Sequence, residues 1–374
     1  MAYVIFLLGT KLFKLWLRRI HLFLAIISGL FLISSKITGT LLIYAKTIQR
    51  EINVDYWQVM PQNKTLSFDN IIKIVERDTQ QKVILVQPEL EPNLAWQLQL
   101  SNNHYVSVNP YNANILLEYD YYKTFYGFTM AFHRWLLYQD SDGNFPFRIW
   151  VSIATLCLIV EVLVGVYLWV RPKNRIKRLK IKFKAKNKII FYQLHTVLGV
   201  LLFIPLLLVA FSGIAFHWKM ETSKVVETLT FGEIEKRPDA PTIKSHYSSE
   251  FQLDLALKNG LSALPQASLY RIYMPKKQSN SMALRVKMPN ESHAYSWIWV
   301  NPYTAKVLQV YDASKASFST QVWNFKYKFH IGDFLSPIVQ VFWIGLALSP
   351  CFFVLSGFYL WFCRHKKKKT INIS

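Results

Sequence analysis

The stretch Phe191–Trp218, FYQLHTVLGVLLFIPLLLVAFSGIAFHW, reads as one membrane-spanning helix with His195 in its first turns. A span needs about 20 mostly apolar residues, and the run from Thr196 to Phe216 supplies that length without a charge. Gly199 lies one turn beyond His195, on the same side of the helix. The same design recurs near the N-terminus, where His21 opens a span and Ala25 and Gly29 follow one and two turns later. Eighteen residues after each histidine stands a glycine, Gly39 or Gly213, each preceded by a hydroxyl residue, Thr38 or Ser212. The chain reads as two copies of one unit.

With 374 residues, 52% of them hydrophobic, the sequence carries four apolar runs long enough to cross a bilayer, at 20–45, 148–170, 189–217 and 338–363. The net charge of +22 at first suggests a nucleic-acid partner, but its distribution excludes one. The short segments 1–19, 171–188 and 364–374 hold 4, 10 and 5 Lys/Arg and no Asp or Glu. With Lys36 and Glu161 set aside, the large polar regions 46–147 and 218–337 are nearly balanced, at 23 basic against 21 acidic residues. Basic short loops stay in the cytoplasm, so both termini and the 171–188 loop are expected inside a bacterial inner membrane, and the two large regions in the periplasm. The first nine residues lack a basic n-region and a cleavage site and are expected to lie at the interface. The basic loop is expected to touch anionic lipid. The three cysteines all lie in spans, which leaves no disulfide framework outside, and without CxxCH no c-type haem is attached.

Each polar region reads as a helix followed by four strands. The first has a helix near 68–78 and strands near 82–86, 94–100, 105–108 and 115–119. The second has a helix near 251–259 and strands near 269–274, 282–286, 295–300 and 307–311. Val-Asn-Pro-Tyr-x-Ala-x-x-Leu occurs at 108–116 and again at 300–308, which points to internal duplication. Phe132-His133 and Phe329-His330 precede spans two and four, whose ends read Gly165-Val-Tyr-Leu-Trp169 and Gly357-Phe-Tyr-Leu-Trp361. The fold class is therefore a membrane protein of four transmembrane α-helices in two tandem repeats, each with an extracytoplasmic α+β domain. Trp135, Trp150, Trp218, Trp323 and Trp343 on the outer side, and Trp16, Trp169 and Trp361 on the inner side, are expected as interfacial anchors. Lys36 and Glu161 are intramembrane charges, and a structural Lys36–Glu161 pair is expected.

Four of the nine histidines occupy matched places. His21 and His195 start spans at the cytoplasmic level, and His133 and His330 precede spans at the periplasmic level. Packing about a pseudo-twofold axis would make each pair face itself, and two imidazoles from different helices form a bis-histidine haem site. Small neighbours such as Gly199, Ala25 and Gly29 would let a flat macrocycle lie against a helix. Each level offers two histidines and no thiolate or carboxylate set, which argues against zinc. His217 is an alternative outer ligand. His104, His246, His293 and His365 are expected in solvent. Asp333 is expected to cap span four.

These residues together resemble the PepSY-associated transmembrane helix family: the paired outer domains with the Asn-Pro-Tyr turn, His-x-x-x-Gly in span three, His330-Ile-Gly-Asp333 and the Gly-x-Tyr-Leu-Trp endings. The resemblance covers nearly the whole chain. It implies bacterial inner-membrane proteins with PepSY-like outer domains, among them ferric-siderophore reductases carrying b-type haem. Transferred to this sequence, it implies two haem b groups, one ligated by His21 and His195 and the other by His133 and His330. Ala25 in place of a glycine and Lys36 depart from that pattern.

The function expected is transmembrane electron transfer to ferric siderophore iron in the periplasm. No GxGxxG or P-loop is present, so the electron donor is expected to be a quinol or a separate cytoplasmic reductase. The alternative is a PepSY-displaying binding or regulatory protein, restraining a peptidase or sensing the envelope, with no redox activity.

Overall fold

The computed structural model describes residues 2–243 and 250–371, so His246 lies outside the described residues. Ten α-helices and eight strands follow in this order: α1 (Ala2–Ile52), α2 (Val54–Trp57), α3 (Phe68–Thr79), β1 (Val83–Gln87), β2 (Trp96–Leu100), β3 (Tyr105–Val108), β4 (Ile115–Tyr119), α4 (Phe125–Trp135), α5 (Arg148–Val170), α6 (Asn187–Ile214), α7 (Lys219–Thr230), α8 (Leu253–Ala263), β5 (Ser268–Tyr273), β6 (Met282–Lys287), β7 (Ser296–Val300), β8 (Val307–Tyr311), α9 (Phe318–Ile331) and α10 (Pro337–Ile371). Among the described residues, four helical stretches are long and apolar enough to cross a membrane: Leu12–Ile52, Arg148–Val170, Asn187–Ile214 and Pro337–His365. The chain is a multi-pass membrane protein with a separate antiparallel sheet. It divides into two compact units.

The helical unit takes in the chain to Ile43, Thr129–Thr222 and the chain from Phe329 onward. Its core gathers Leu32 of α1, Ala154 and Leu158 of α5, Leu206, Val209 and Ala210 of α6, and Trp343 and Leu346 of α10. Residues 2–9 are the first turns of α1, which runs on without a break into Lys11, Lys14, Arg18 and Arg19. Trp135 and Trp343 are not lipid anchors. They are 4% and 7% exposed, Trp135 against Phe145 and Trp343 against Phe329 and Phe334. Indole rings this large are used here to fill the bundle rather than to sit at its rim. Trp16 and Trp150 are exposed.

The second unit, Tyr44–Phe128 with Ser223–Lys328, holds one eight-stranded antiparallel sheet in the order β4-β3-β2-β1-β5-β6-β7-β8. The strands of both polar regions thus share a single sheet, joined through β1 and β5 by the partners Leu85↔Tyr273 and Val86↔Ile272. Alternation along the strands sends Val86, Leu98, Val106, Ile272, Leu284 and Ile298 to one face, where they pack with Ile71 and Val75 of α3 and Ala256 and Leu257 of α8. The N-terminus of α3 is closed from α8, since the Asp254 carboxylate accepts from the Phe68 amide at 3.0 Å.

The repeated Asn-Pro-Tyr turn has a local cause. The side-chain oxygens of Asn109 and Asn301 accept from the amides two residues on, Tyr111 and Tyr303, each at 2.9 Å. Both tyrosines are buried. Ala113 and Ala305 then adopt φ of +62° and +55°. Both alanines are almost fully buried, so a small side chain fills the site while the αL backbone turns the chain into the next strand.

Candidate functional site

The helical unit brings the matched histidines together in two pairs. His21 of α1 and His195 of α6 have ring centres 6.3 Å apart with planes at 79°. His133 of α4 and His330 of α9 have ring centres 6.3 Å apart with planes at 47°. A metal–imidazole nitrogen bond is about 2.0 Å and the ring centre lies roughly 1 Å behind that nitrogen, so two imidazoles on opposite sides of one metal stand roughly 6 Å apart. The spacing of both pairs fits that arrangement. Along α1, His21 and the Ser35–Gly39 turn that receives His133 are separated by about 24 Å at 1.5 Å per residue.

Hydrogen bonds decide which ring nitrogen each histidine presents. His133 Nδ1 lies 2.8 Å from the Ser35 carbonyl oxygen, which can only accept, so Nδ1 carries the proton. His330 Nδ1 likewise donates to the Val209 carbonyl at 3.3 Å and to Ser212 Oγ at 3.0 Å, the serine hydroxyl being engaged with Val209. His195 Nδ1 donates to Ser356 Oγ at 2.7 Å, because that hydroxyl gives its own proton to the Phe353 carbonyl. In these three rings the Nε2 lone pair remains for a ligand, which is how a second layer of hydrogen bonds orients a ligating histidine. His21 differs: no hydroxyl reaches its Nδ1, which makes no hydrogen bond of good geometry, and the backbone acceptor beside the ring is the Glu161 carbonyl, one turn before Gly165. Val164 precedes Gly165 in α5, where Ser356 precedes Gly357 in α10.

Close approach of helix to ring is bought by glycine at the outer pair. A Cβ on Gly39 would sit 2.9 Å from His133 Cε1, and one on Gly213 would sit 3.2 Å from His330 Cε1. The hydroxyl–glycine pairs Thr38-Gly39 and Ser212-Gly213 are therefore the seats of His133 and His330, Thr38 Oγ1 being 3.4 Å from His133 Nδ1. At the inner pair Gly165 would place a Cβ at an ordinary 3.7 Å from His21 Cε1. Gly29 was expected to make room for a macrocycle, but it faces Val354 of α10 at 3.1 Å and serves helix packing.

Both outer histidines occupy the last turn of a short helix whose end is marked by left-handed backbone. Leu136 and Leu137 follow α4 with φ of +55° and +65°, and Gly332 follows α9 with φ of +73°. For leucine this conformation costs roughly 1–2 kcal/mol per residue, and surrounding packing must hold it.

The other expectations divide. His217 is not brought to His133 or His330 as a pair; its Nδ1 is held by Ser152 Oγ at 2.6 Å and its ring stacks on Trp218. The Lys36–Glu161 pair does not form. Glu161 accepts from Ser28 Oγ at 3.1 Å, and Ser28 precedes Lys36 by about 12 Å of helix. His104 is exposed and contacts Glu118, and His365 is exposed against Trp361. His293 is not solvated but half-buried among Tyr270, Tyr295 and Tyr327. Ser356, Ser35 and Val209 were not singled out from sequence. The repeated hydroxyl–glycine spacing signalled Thr38 and Ser212 and, applied to the span ends, would have found Ser356; backbone acceptors leave no such signal.

Among the described residues no cluster of three or more His, Cys, Asp and Glu side chains could hold a metal ion. No curated protein matches the chain. The model of the PepSY-associated TM region matches residues 18–364, from just before His21 to the last basic turn of α10, and the chain belongs to that family.

Proposed function

We propose that this chain is a haem b-containing electron-transfer protein of the bacterial inner membrane that reduces ferric siderophore iron at the periplasmic face. The observation that carries the proposal is the pairing of imidazoles at two depths with the same 6.3 Å separation. His21 and His195 would hold one haem and His133 and His330 the other; bound there, haem supplies one-electron storage at each depth. The protein's own part is orientation. Ser356, Ser212 and the carbonyls of Ser35 and Val209 take the Nδ1 protons and turn Nε2 inward. Gly39 and Gly213 let the outer rings seat against their helices.

One electron from a quinol or a cytoplasmic reductase converts Fe(III) to Fe(II). A siderophore of hard oxygen donors holds the less highly charged ion more weakly, so the metal leaves without acid–base or nucleophilic catalysis. In this reading both termini are cytoplasmic, by the basic short segments. The chain is a tandem duplication with PepSY-like regions on the periplasmic side. The repeated Asn-Pro-Tyr turn, with the same αL alanine in each copy, and the symmetric strand order favour it.

Purified in detergent, the protein should show reduced-minus-oxidised haem bands with two haems per chain. His195→Ala should remove one spectral component and leave the other. Anaerobic mixing of the dithionite-reduced protein with a ferric siderophore should return the oxidised spectrum. A colourless protein, or His195→Ala with unchanged bands, would overturn the assignment and favour a non-redox binding role.

A further inference from the structure

The sheet has a second face, opposite the apolar one covered by α3 and α8, and its composition is unusual. Alternation places Arg271, Arg285 and Trp297 there, because their neighbours Ile272, Leu284 and Ile298 are in the core. Arg271 and Arg285 are direct cross-strand partners, and Arg285 is in turn the partner of Trp297. Like charges directly opposite each other destabilise a sheet. No carboxylate offsets them among the described ion pairs. Arg271 Nε donates to the neutral Gln87 Oε1 at 2.9 Å and Arg285 Nε to the Ala294 carbonyl at 2.7 Å. Glu291, close by in sequence, accepts instead from the amides of Met288 and Tyr295.

Aromatic rings surround these cations. The ladder slips between Leu269 and Arg271, so Tyr270 is the extra residue of a bulge, a device that re-aims a side chain. The Arg271 and Arg285 guanidinium groups lie 5.0 Å and 5.3 Å from the Tyr270 ring. Arg285 and Arg237 flank the Trp297 ring at 5.7 Å and 4.3 Å. His293 packs on Tyr270 with ring centres 4.9 Å apart. Burial, together with the positive charges of Arg285, Lys328, Arg271 and Lys287, holds the His293 imidazole down to about 3, so it stays neutral. The charges that act on His293 are all positive, yet the side chains concerned are only half-buried and reachable from solvent.

We propose that this face binds an anionic, aryl-oxygen ligand, namely an iron chelate of the catecholate class, with its negative charge between Arg271 and Arg285 and its rings against Tyr270 and Trp297. Cations and aromatic faces favour such a complex over a neutral or cationic hydroxamate chelate. The inference deepens the function proposed above by naming the substrate class, and rests on it for the metal alone.

The test separates binding from redox chemistry by using gallium(III), which is not reduced. The gallium complex of a hexadentate tricatecholate is titrated into the full-length protein in detergent, with tryptophan fluorescence and calorimetry as readouts. It should bind, and its affinity should fall as salt rises. The gallium complex of a trihydroxamate carrying a free ammonium, neutral at the metal and cationic overall, should bind roughly tenfold or more weakly. Arg271→Gln with Arg285→Gln should weaken the tricatecholate by roughly tenfold or more, whereas Arg271→Lys with Arg285→Lys should largely restore it. No binding by the unaltered protein, equal affinity for the two chelates, or indifference to salt overturns the proposal even if the glutamine variant fails to fold. Haem spectra on the same samples keep the two readings apart: chelate binding without haem bands sinks electron transfer alone, and haem bands without chelate binding sink this site alone.

Discussion

The inner and outer histidine pairs have the same ring separation but are held differently. At the outer pair both rings are tied down twice, by a backbone carbonyl and a hydroxyl, and both seat on a glycine. At the inner pair His195 has one hydroxyl acceptor, and His21 has no hydroxyl and only the Glu161 carbonyl beside its ring. The outer pair sits on short helices α4 and α9, whose positions depend on turns, so its rings need external fixing. The inner pair sits on the long helices α1 and α6, which fix the side chains by themselves. The lesson is that redundancy in the supporting hydrogen bonds follows the rigidity of the element that carries the ligand.

The strongest way to break this comparison is at the glycines. Gly39→Ala puts a methyl 2.9 Å from a ring that two acceptors keep from moving. Haem affinity at the outer pair should fall by roughly tenfold or more, while the gain of about 1 kcal/mol from Ala for Gly in a helix is offset by the overpacking of about 1–3 kcal/mol. Spectra would therefore lose the outer component with only a small change in thermal stability. Gly165→Ala, with its ordinary 3.7 Å contact, should leave the inner component in place. Equal losses at the two glycines would show that the pairs do not differ.

A comparable effect is expected at Ser356. Removing the one acceptor of His195 Nδ1 leaves a polar group without its partner, at a cost of roughly 1–3 kcal/mol, and loosens the inner haem by about 10–100-fold. Ser212→Ala, which leaves the Val209 carbonyl in place, should cost only a few-fold at the outer pair by haem-transfer competition. The comparison fails if the two serines matter equally.

The smallest change should be a gain. Val164→Ser would put a hydroxyl where α10 carries Ser356, giving His21 a hydroxyl acceptor beside the Glu161 carbonyl. Inner haem affinity should rise by about threefold, and the inner component should move to lower potential as the imidazole becomes more basic. A redox titration that finds the inner component unmoved would show that a hydroxyl at His21 Nδ1 is of no consequence.

Much of this was legible in the residues, for identifiable reasons. Span α5 was read with the bounds it has, because an apolar run of bilayer length between charged flanks has few alternatives. Strands β3, β4 and β8 likewise match their alternation and turn chemistry. The histidines that pair were found by matched position, since the same spacings recur in both stretches of sequence. Helices α4 and α9 were not read, because their aromatic sequences carry no clean apolar period. The Lys36–Glu161 pair was inferred from charge alone, and the position of Ser28 on α1 decided otherwise.

What the sequence determined by itself is the set of local periods: four spans, two helix-and-strand regions, a repeated turn and four histidines in register. These follow from each residue's own preference for lipid, strand or turn. Only the tertiary structure decided that the strands join into one sheet, that Trp135 and Trp343 fill the bundle, and that the Nδ1 atoms of three histidines find a distant carbonyl or hydroxyl. Such features depend on which distant backbone carbonyl or hydroxyl comes within about 3 Å, and that distance is set by packing between helices far apart in the chain.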